Sequence, residues 1–504
     1  MKMQRKLLSL ALALSMAIGL TACSGSTSSS TPPAGEGSSG SSLASGSGSG
    51  ETVLLRVFQS DPKGTDDAMV AEAINQLPEV KALGVTIEMV KYGQGEYFEK
   101  IPLVMASDEQ MDIRWDDGTH TYLENIQTQA YLDITDMLDE TAPTLKQTIP
   151  ETLWNGMRVD GRIYGVPTYK ELGEQWAFFA ETSFLEEAGI NPDEIDNFNK
   201  AGTILEALSQ SGRAGFQIGK TGVYSSMFLL DTYDDISGTQ HPMFVVSKDD
   251  PDTILNAYET EDYLEGVTLL HEWYQKGYIS PDVLTRENYD EYTKNGNYKY
   301  GLGYASYAPQ GEITLSNSYG RELTPMFITP ITVTNTSCRG SIYAILAKSK
   351  HPELALQFLE VWNTVPEVKN LFTYGIEGKH YNLVDGQVEK AKDVDKLYLN
   401  QNWKTGNSFI SYTLVGETKD KWDQYLAWNE KGVESVCLGF TPDTTKVADK
   451  LTACNAVVAE YGPMLQTGSV DPAEYLPRFQ QALKDAGIDD IIAEYQAQYD
   501  AWKG

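Results

Sequence analysis

The chain of 504 residues predicts an α/β protein built from more than one lobe. Two observations carry that expectation. Beyond residue 51, short runs suited to buried strands alternate with stretches whose apolar residues recur at helical spacing. The roughly 450 residues of that region also exceed what a single hydrophobic core organises. The first fifty residues are of a different kind.

Lys2, Arg5 and Lys6 precede an uncharged stretch from Leu7 to Leu20, and Leu20-Thr21-Ala22-Cys23 closes it with a small residue before cysteine. Fourteen residues rise only about 21 Å as a helix, short of a hydrocarbon core of about 30 Å, so the stretch reads as the h-region of a secretory signal. Its Leu-x-Ala-Cys ending marks a lipoprotein signal over residues 1–22, with Cys23 the expected lipidated residue. Residues 23–50 are almost wholly Ser, Gly, Thr and Pro after the cysteine. Such a segment behaves as a flexible tether with a root-mean-square reach of about 30 Å.

The folded region opens with an apolar strand at Val53–Phe58. A helix follows Thr65, Asp66 and Asp67, with Met69, Val70, Ala73, Ile74 and Leu77 on its inner face. Val85, Ile87 and Met89 alternate as a second strand. A helix near Glu96 turns Tyr97, Phe98, Ile101 and Met105 inward past Pro102, and a third strand runs from Met111 to Trp115. This β-α-β-α-β order predicts a parallel sheet covered on both faces, with ligands beyond the carboxyl ends of its strands. Asp61 ends the first strand; Trp115, Asp116 and Asp117 end the third. Further on, Val267, Leu270 and Tyr274 give a helix an inward stripe.

A net charge of −32 excludes nucleic acid and anionic lipid head groups as electrostatic partners. The surplus of 29 tyrosines, with nine tryptophans, suits a polar ring-shaped ligand stacked on aromatic faces, although core packing is the commoner fate of any one aromatic. Beyond Cys23 there are Cys338, Cys437 and Cys454. At most one internal disulfide forms among them, 437 with 454 or none. The five histidines are scattered without metal-ligand spacing, and Gly215–Thr221 misses the phosphate-loop pattern because Ala214 stands where a glycine is required. No metal or other cofactor is expected.

Near Gly161 the texture changes. Gly161-Arg-Ile-Tyr-Gly-Val-Pro-Thr-Tyr-Lys-Glu171 leads into Gln175–Phe179 and then Thr182–Ile190, with its Ala188-Gly189-Ile190 close. This stretch resembles the interlobe crossing of bacterial extracellular solute-binding proteins of ABC transporters, whose sugar-binding group includes maltose-binding protein. Ser341–Leu359 resembles that family's return strand and following helix. Tyr374–Tyr381, with Leu438–Phe440, Asn455–Tyr461 and Glu474–Leu476, is similar to the Gram-positive oligosaccharide-binding lipoproteins.

The resemblance implies a two-lobed, class II periplasmic-binding-protein-like fold with a hinge and a ligand cleft. Residues 51–168 with about 340–400 would form the first lobe, and about 169–339 with 401–504 the second, including C-terminal helices. Its implied role is a monomeric, lipid-anchored protein on the extracellular face of the cell membrane that captures an oligosaccharide and delivers it to permease subunits. Sugar rings offer apolar faces to aromatics and hydroxyls to carboxylates. The candidate ligand-binding residues are therefore Asp61, Trp115 and Asp116 from the first lobe, Tyr169, Lys170 and Trp176 from the crossing, and Tyr304 and Tyr307 from a second-lobe strand and loop. Arg339 and Trp403 complete the set. The rival expectation is a lipid-anchored polysaccharide hydrolase with an Asp/Glu pair, against which no carboxylate pair stands out.

Overall fold

The computed structural model describes residues 52–239, 241–285 and 300–504. The signal, the tether and Cys23 lie outside the described residues.

Strands β1 (Val53–Gln59), β2 (Val85–Lys91) and β3 (Ile113–Asp116) come from the alternating region read in the sequence. They assemble with β4 (Val166–Pro167) and a much later strand, Ile342–Ile345, in the order β2-β1-β3-(342–345)-β4. β1 runs parallel to β2 and β3, whereas the late strand is antiparallel to both β3 and β4. The sheet is mixed where an all-parallel one was expected. The reason is where the chain returns: Ile342 pairs with Asp116, at the carboxyl end of β3, so a strand entering there has to run back down the sheet.

The helix Asp67–Asn75 buries Val70, Ala71 and Ile74 against this sheet, but Met69, expected inward, is 46% exposed. The helix Gln94–Ala106 continues through Pro102 and buries Tyr97 and Ile101. Around them a first hydrophobic core gathers residues from the stretch up to Leu172 and from Val333–Tyr398.

The second core lies between Trp176 and Tyr499 in sequence. It is framed by two antiparallel three-stranded sheets. One sets β5 (Gln175–Glu181) between β9 (Gly303–Tyr307) and β10 (Leu323–Phe327). The other is β6 (Tyr233–Asp235), β7 (Phe244–Ser247) and β8 (Ile254–Asn256). The helix Glu261–Gln275 buries Val267 and Leu270, and the helices Ala448–Gln466, Pro472–Ala486 and Ile488–Lys503 bury Leu465, Phe479, Leu483, Ile491 and Tyr499 in the same core.

Three stretches pass between the cores and are hydrogen-bonded to one another. Glu174 and Thr332 exchange both backbone bonds at 2.9 Å, Val433 N donates to Ile331 O (2.8 Å) and Ser435 N to Val333 O (2.9 Å). Residues 402–408, expected with the second lobe, bond to the first. Lys404 Nζ donates to Ser60 O (2.6 Å), Lys369 Nζ to Thr405 O (2.5 Å) and Asn407 Nδ2 to Asn363 O (3.2 Å). The segment donates to Ser60 O and Asn363 O and accepts from Lys369, so these bonds tie it to the first lobe across the boundary read from the sequence. Cys338, Cys437 and Cys454 are all buried free thiols.

Candidate functional site

A cavity of about 570 Å³ opens where the two cores and their connections meet. Gly118 and Thr119, just past β3, supply the first-lobe wall. Glu174, Thr334 and Thr336 supply the crossings. Trp176, Ser226, Leu230, Asp235 and 237–239 supply the second lobe. A smaller cavity of about 220 Å³ adjoins it, sharing Gly118, Asp235 and Thr336 and reaching Arg339, His241, Phe440 and Tyr495.

Local chemistry explains why these residues are placed here. Gly118 N donates to Arg339 O (2.8 Å), and a Cβ at 118 would stand 2.8 Å from the Cβ of Arg339, so only glycine lets β3 end against the crossing. Thr334 caps the turn Asn335–Cys338 in a reciprocal capping box with Ser337. Glu174 and Trp176 flank Gln175 at the start of β5, and alternation along the strand puts them on one face. Asp235 ends β6 and accepts from the backbone N–H groups of Ser237 (2.6 Å) and Thr239 (3.1 Å), which shapes the loop forming the far wall.

The wall is polar and partly unsatisfied. Trp176 and Ser226 are each 4% exposed, yet the Trp176 indole N–H and the Ser226 hydroxyl have no partner among the described residues. Burial raises the Glu174 carboxyl above its usual range, opposed only by Lys170. Burial likewise pushes Asp235 up to about 7, against the pull of its backbone donors. Beside the adjoining cavity, burial depresses the His241 imidazole to about 4. Behind Trp176 an aromatic layer stiffens the wall: its ring lies 5.4 Å from Tyr224 and 6.3 Å from Tyr304. Buried polar groups without partners are costly, and the two on this wall, the Trp176 indole N–H and the Ser226 hydroxyl, are left to bond a ligand.

The residues expected from the sequence do not form one cluster. Trp176 lines the cavity, and Arg339 lines its smaller neighbour. The Arg339 guanidinium is spent on structure: its Nε donates to Gly156 O (2.8 Å), and Nη2 to Arg158 O (2.7 Å) and Thr441 Oγ1 (2.8 Å). Asp116 is fully buried, paired with Arg114 (3.3 Å) and bonded by Tyr131 and Thr121, so it is a core ion and not a cleft group. Trp115, expected at a lip, is 1% exposed and donates from Nε1 to Ser341 Oγ (2.9 Å) inside the first core. Trp403 lies beside it, 39% exposed, with ring centroids 6.3 Å apart, and Lys404 Nζ sits 4.7 Å from one ring and 4.9 Å from the other.

Asp61 is buried near that pair with neither carboxylate oxygen hydrogen-bonded. Burial pushes it up to about 6, opposed by the charges of Lys404 and Lys91. Tyr169 packs on Phe409 at 4.4 Å on the crossing, and Lys170 pairs with Glu171. Tyr304 is half-buried in the second core, its hydroxyl donating to Gly222 O (3.4 Å), and Tyr307 packs on Phe327 at 4.8 Å.

Glu174, Ser226, Asp235, Thr334 and Thr336 escaped the sequence reading. Glu174 stands two residues before Trp176, where the strand period places it on the same face. Ser226 and Asp235 carry no local pattern, because only the tertiary path brings their loops to the cleft. Among the described residues, no group of three or more His, Cys, Asp or Glu is arranged to hold a metal ion.

Known proteins share this arrangement. Residues 71–376 match the family described as bacterial extracellular solute-binding protein, and residues 436–504 match a domain of unknown function, DUF3502. A carbohydrate ABC transporter substrate-binding protein of Streptococcus pneumoniae is 26% identical over 456 residues, 89% of this chain and 90% of the relative. The crystal structure of an N-glycan transport solute binding protein from S. pneumoniae superposes with a TM-score of 0.78 at 24% identity, covering 89% of this chain and 99% of that one. The same protein in complex with Man1GlcNAc gives 0.69 at 23% identity over 89% and 99%. Two cores joined by three crossings around a polar, aromatic-backed cleft, with a family match spanning most of the folded region, place this chain among the bacterial extracellular solute-binding proteins.

Proposed function

We propose that this protein captures an oligosaccharide in the cleft between its two lobes and presents it to the membrane subunits of an ABC importer, held at the cell surface by lipid on Cys23. The observation that carries the reading is the 570 Å³ cavity walled by both lobes and by the crossings, with a buried indole N–H and a buried serine hydroxyl left unpartnered and the Glu174 carboxyl among its lining. A ligand bonding groups on both lobes at once stabilises the closed arrangement over the open one, and that difference is what a permease reads. The carbohydrate named for the pneumococcal relative and the glycan bound by the structural neighbour support the ligand class. Residues 20–23 support the anchor.

A thermal-shift screen of oligosaccharides tests the reading. A ligand at a hundredfold its dissociation constant adds about 2.7 kcal/mol of stability, a clear rise in midpoint. The recovered sugar is expected unchanged after long incubation. Hydrolysis products whose formation a single Asp or Glu substitution abolishes would transfer the protein to the hydrolases, and no shift with any oligosaccharide would remove the proposed ligand class.

A further inference from the structure

The walls of the cleft carry a charge pattern that selects among oligosaccharides. Its two ionisable lining residues are both acidic, Glu174 and Asp235; no lysine, arginine or histidine lines the larger cavity. The nearest cation felt by Glu174 is Lys170, whose ammonium is already bound to Glu171. Arg339 in the adjoining cavity spends its guanidinium on three protein oxygens.

The two carboxylates differ in role. Asp235 is satisfied by the backbone N–H groups of Ser237 and Thr239 and shapes its loop. The Glu174 side chain is half-buried on the cavity wall, with no hydrogen bond or ion pair to another described residue. A free carboxylate in a confined wall is an acceptor for donors brought in from outside. Beside it, Trp176 contributes an unpartnered indole donor and Ser226 an unpartnered hydroxyl, both almost fully buried.

We infer that Glu174 is the specificity-determining residue of the cleft, accepting hydrogen bonds from the hydroxyls of a neutral glycan and excluding uronate, sialylated and sulfated ones. This rests on the oligosaccharide reading above and narrows it to uncharged chains. Sugar hydroxyls are donors that match a lone carboxylate, and such charge-assisted bonds are stronger than neutral ones. An anionic sugar group in the same space meets a like charge in a confined, low-dielectric wall, where repulsion is several-fold stronger than in water, and finds no free cation to offset it.

The experiment is a glycan array bearing neutral, sialylated, sulfated and uronate-containing chains, probed with the intact protein at pH 8, where Asp235 is ionised. Calorimetry then compares the best neutral glycan with its carboxylated counterpart, for the wild-type protein and for Glu174→Gln. The expected result is neutral hits, a carboxylated counterpart at least about tenfold weaker, and a variant that binds the neutral glycan about tenfold less tightly while discriminating less between the two. Anionic best ligands, or a folded Glu174→Gln protein with unchanged affinity and unchanged discrimination, overturn the inference and leave the oligosaccharide reading standing. Binding of no glycan of either charge overturns both. The charge preference of the wild-type protein decides the matter even if the variant does not fold.

Discussion

At Asp61 the first lobe keeps a carboxyl group in a place that disfavours its charge. Its neutral form is favoured in the folded protein up to about pH 6, against an ordinary value of 3.8. The folded state therefore holds a proton that the unfolded chain releases. Stability from this group is highest below pH 4, falls as pH rises from 4 to 6, and stays lower above that. Asp61→Asn removes the charged form altogether and is expected to stabilise the protein at pH 8 by up to about 3 kcal/mol, with the gain vanishing near pH 4. Urea denaturation at the two pH values measures it, and an equal gain at both would refute the buried-charge account. Trp115 makes the opposite point. Because it is packed beneath Trp403 and bonded to Ser341, Trp115→Ala is expected to cost about 3–5 kcal/mol of stability through the cavity it leaves. Loss of ligand affinity with an unchanged denaturation midpoint would return Trp115 to the cleft.

Individual elements show which local signals survive packing. The helix Pro472–Ala486 begins with Asp471, whose carboxylate accepts from Ala473 N (2.9 Å), followed by Pro472 at the first helical position, and it ends at Gly487 in the left-handed region (φ 99°). These are ordinary start and stop signals. Its Leu476, Phe479 and Leu483 then face the second core. Asp471→Ala is expected to cost about 0.5–2 kcal/mol, read as a lower urea midpoint without change in glycan affinity, since Asp471 lines neither cavity. A changed affinity at unchanged stability would show that this helix communicates with the cleft. By contrast, Met69 follows the periodicity of its helix yet is exposed, because the partner surface covers a narrower stripe than the apolar residues occupy.

For the molecule as a whole, attachment and binding are separable. Among the described residues no helix is long and apolar enough to cross a membrane, and the net charge of −32 opposes adsorption to anionic head groups. Cys23→Ser is therefore expected to move the protein from the membrane fraction to the medium while glycan affinity stays unchanged. Fractionation and calorimetry on the released protein check both halves, and a variant that remains with the membrane would refute the lipid anchor.

Sequence alone sufficed for the alternating strands and helices of the first lobe, the return strand and helix within Ser341–Leu359 and the family, because those features rest on local periodicity and on contiguous motifs. It also singled out Trp176. The mixed direction of the first sheet, the docking of residues 402–408 on the first lobe and the composition of the cleft belong to the tertiary structure. Strand direction depends on where a distant segment returns, and buried acceptors recruit Lys404 and Asn407 across some 340 and 44 positions. The aromatic and acidic residues that looked like ligand groups were judged by type. Burial sorted them: Trp115, Asp116 and Arg339 found partners inside the protein, while Ser226, unremarked by any motif, was left without a partner beside the cleft and Glu174 lines the same wall. Which polar group is satisfied is a property of three-dimensional neighbours, which no local pattern in the sequence records.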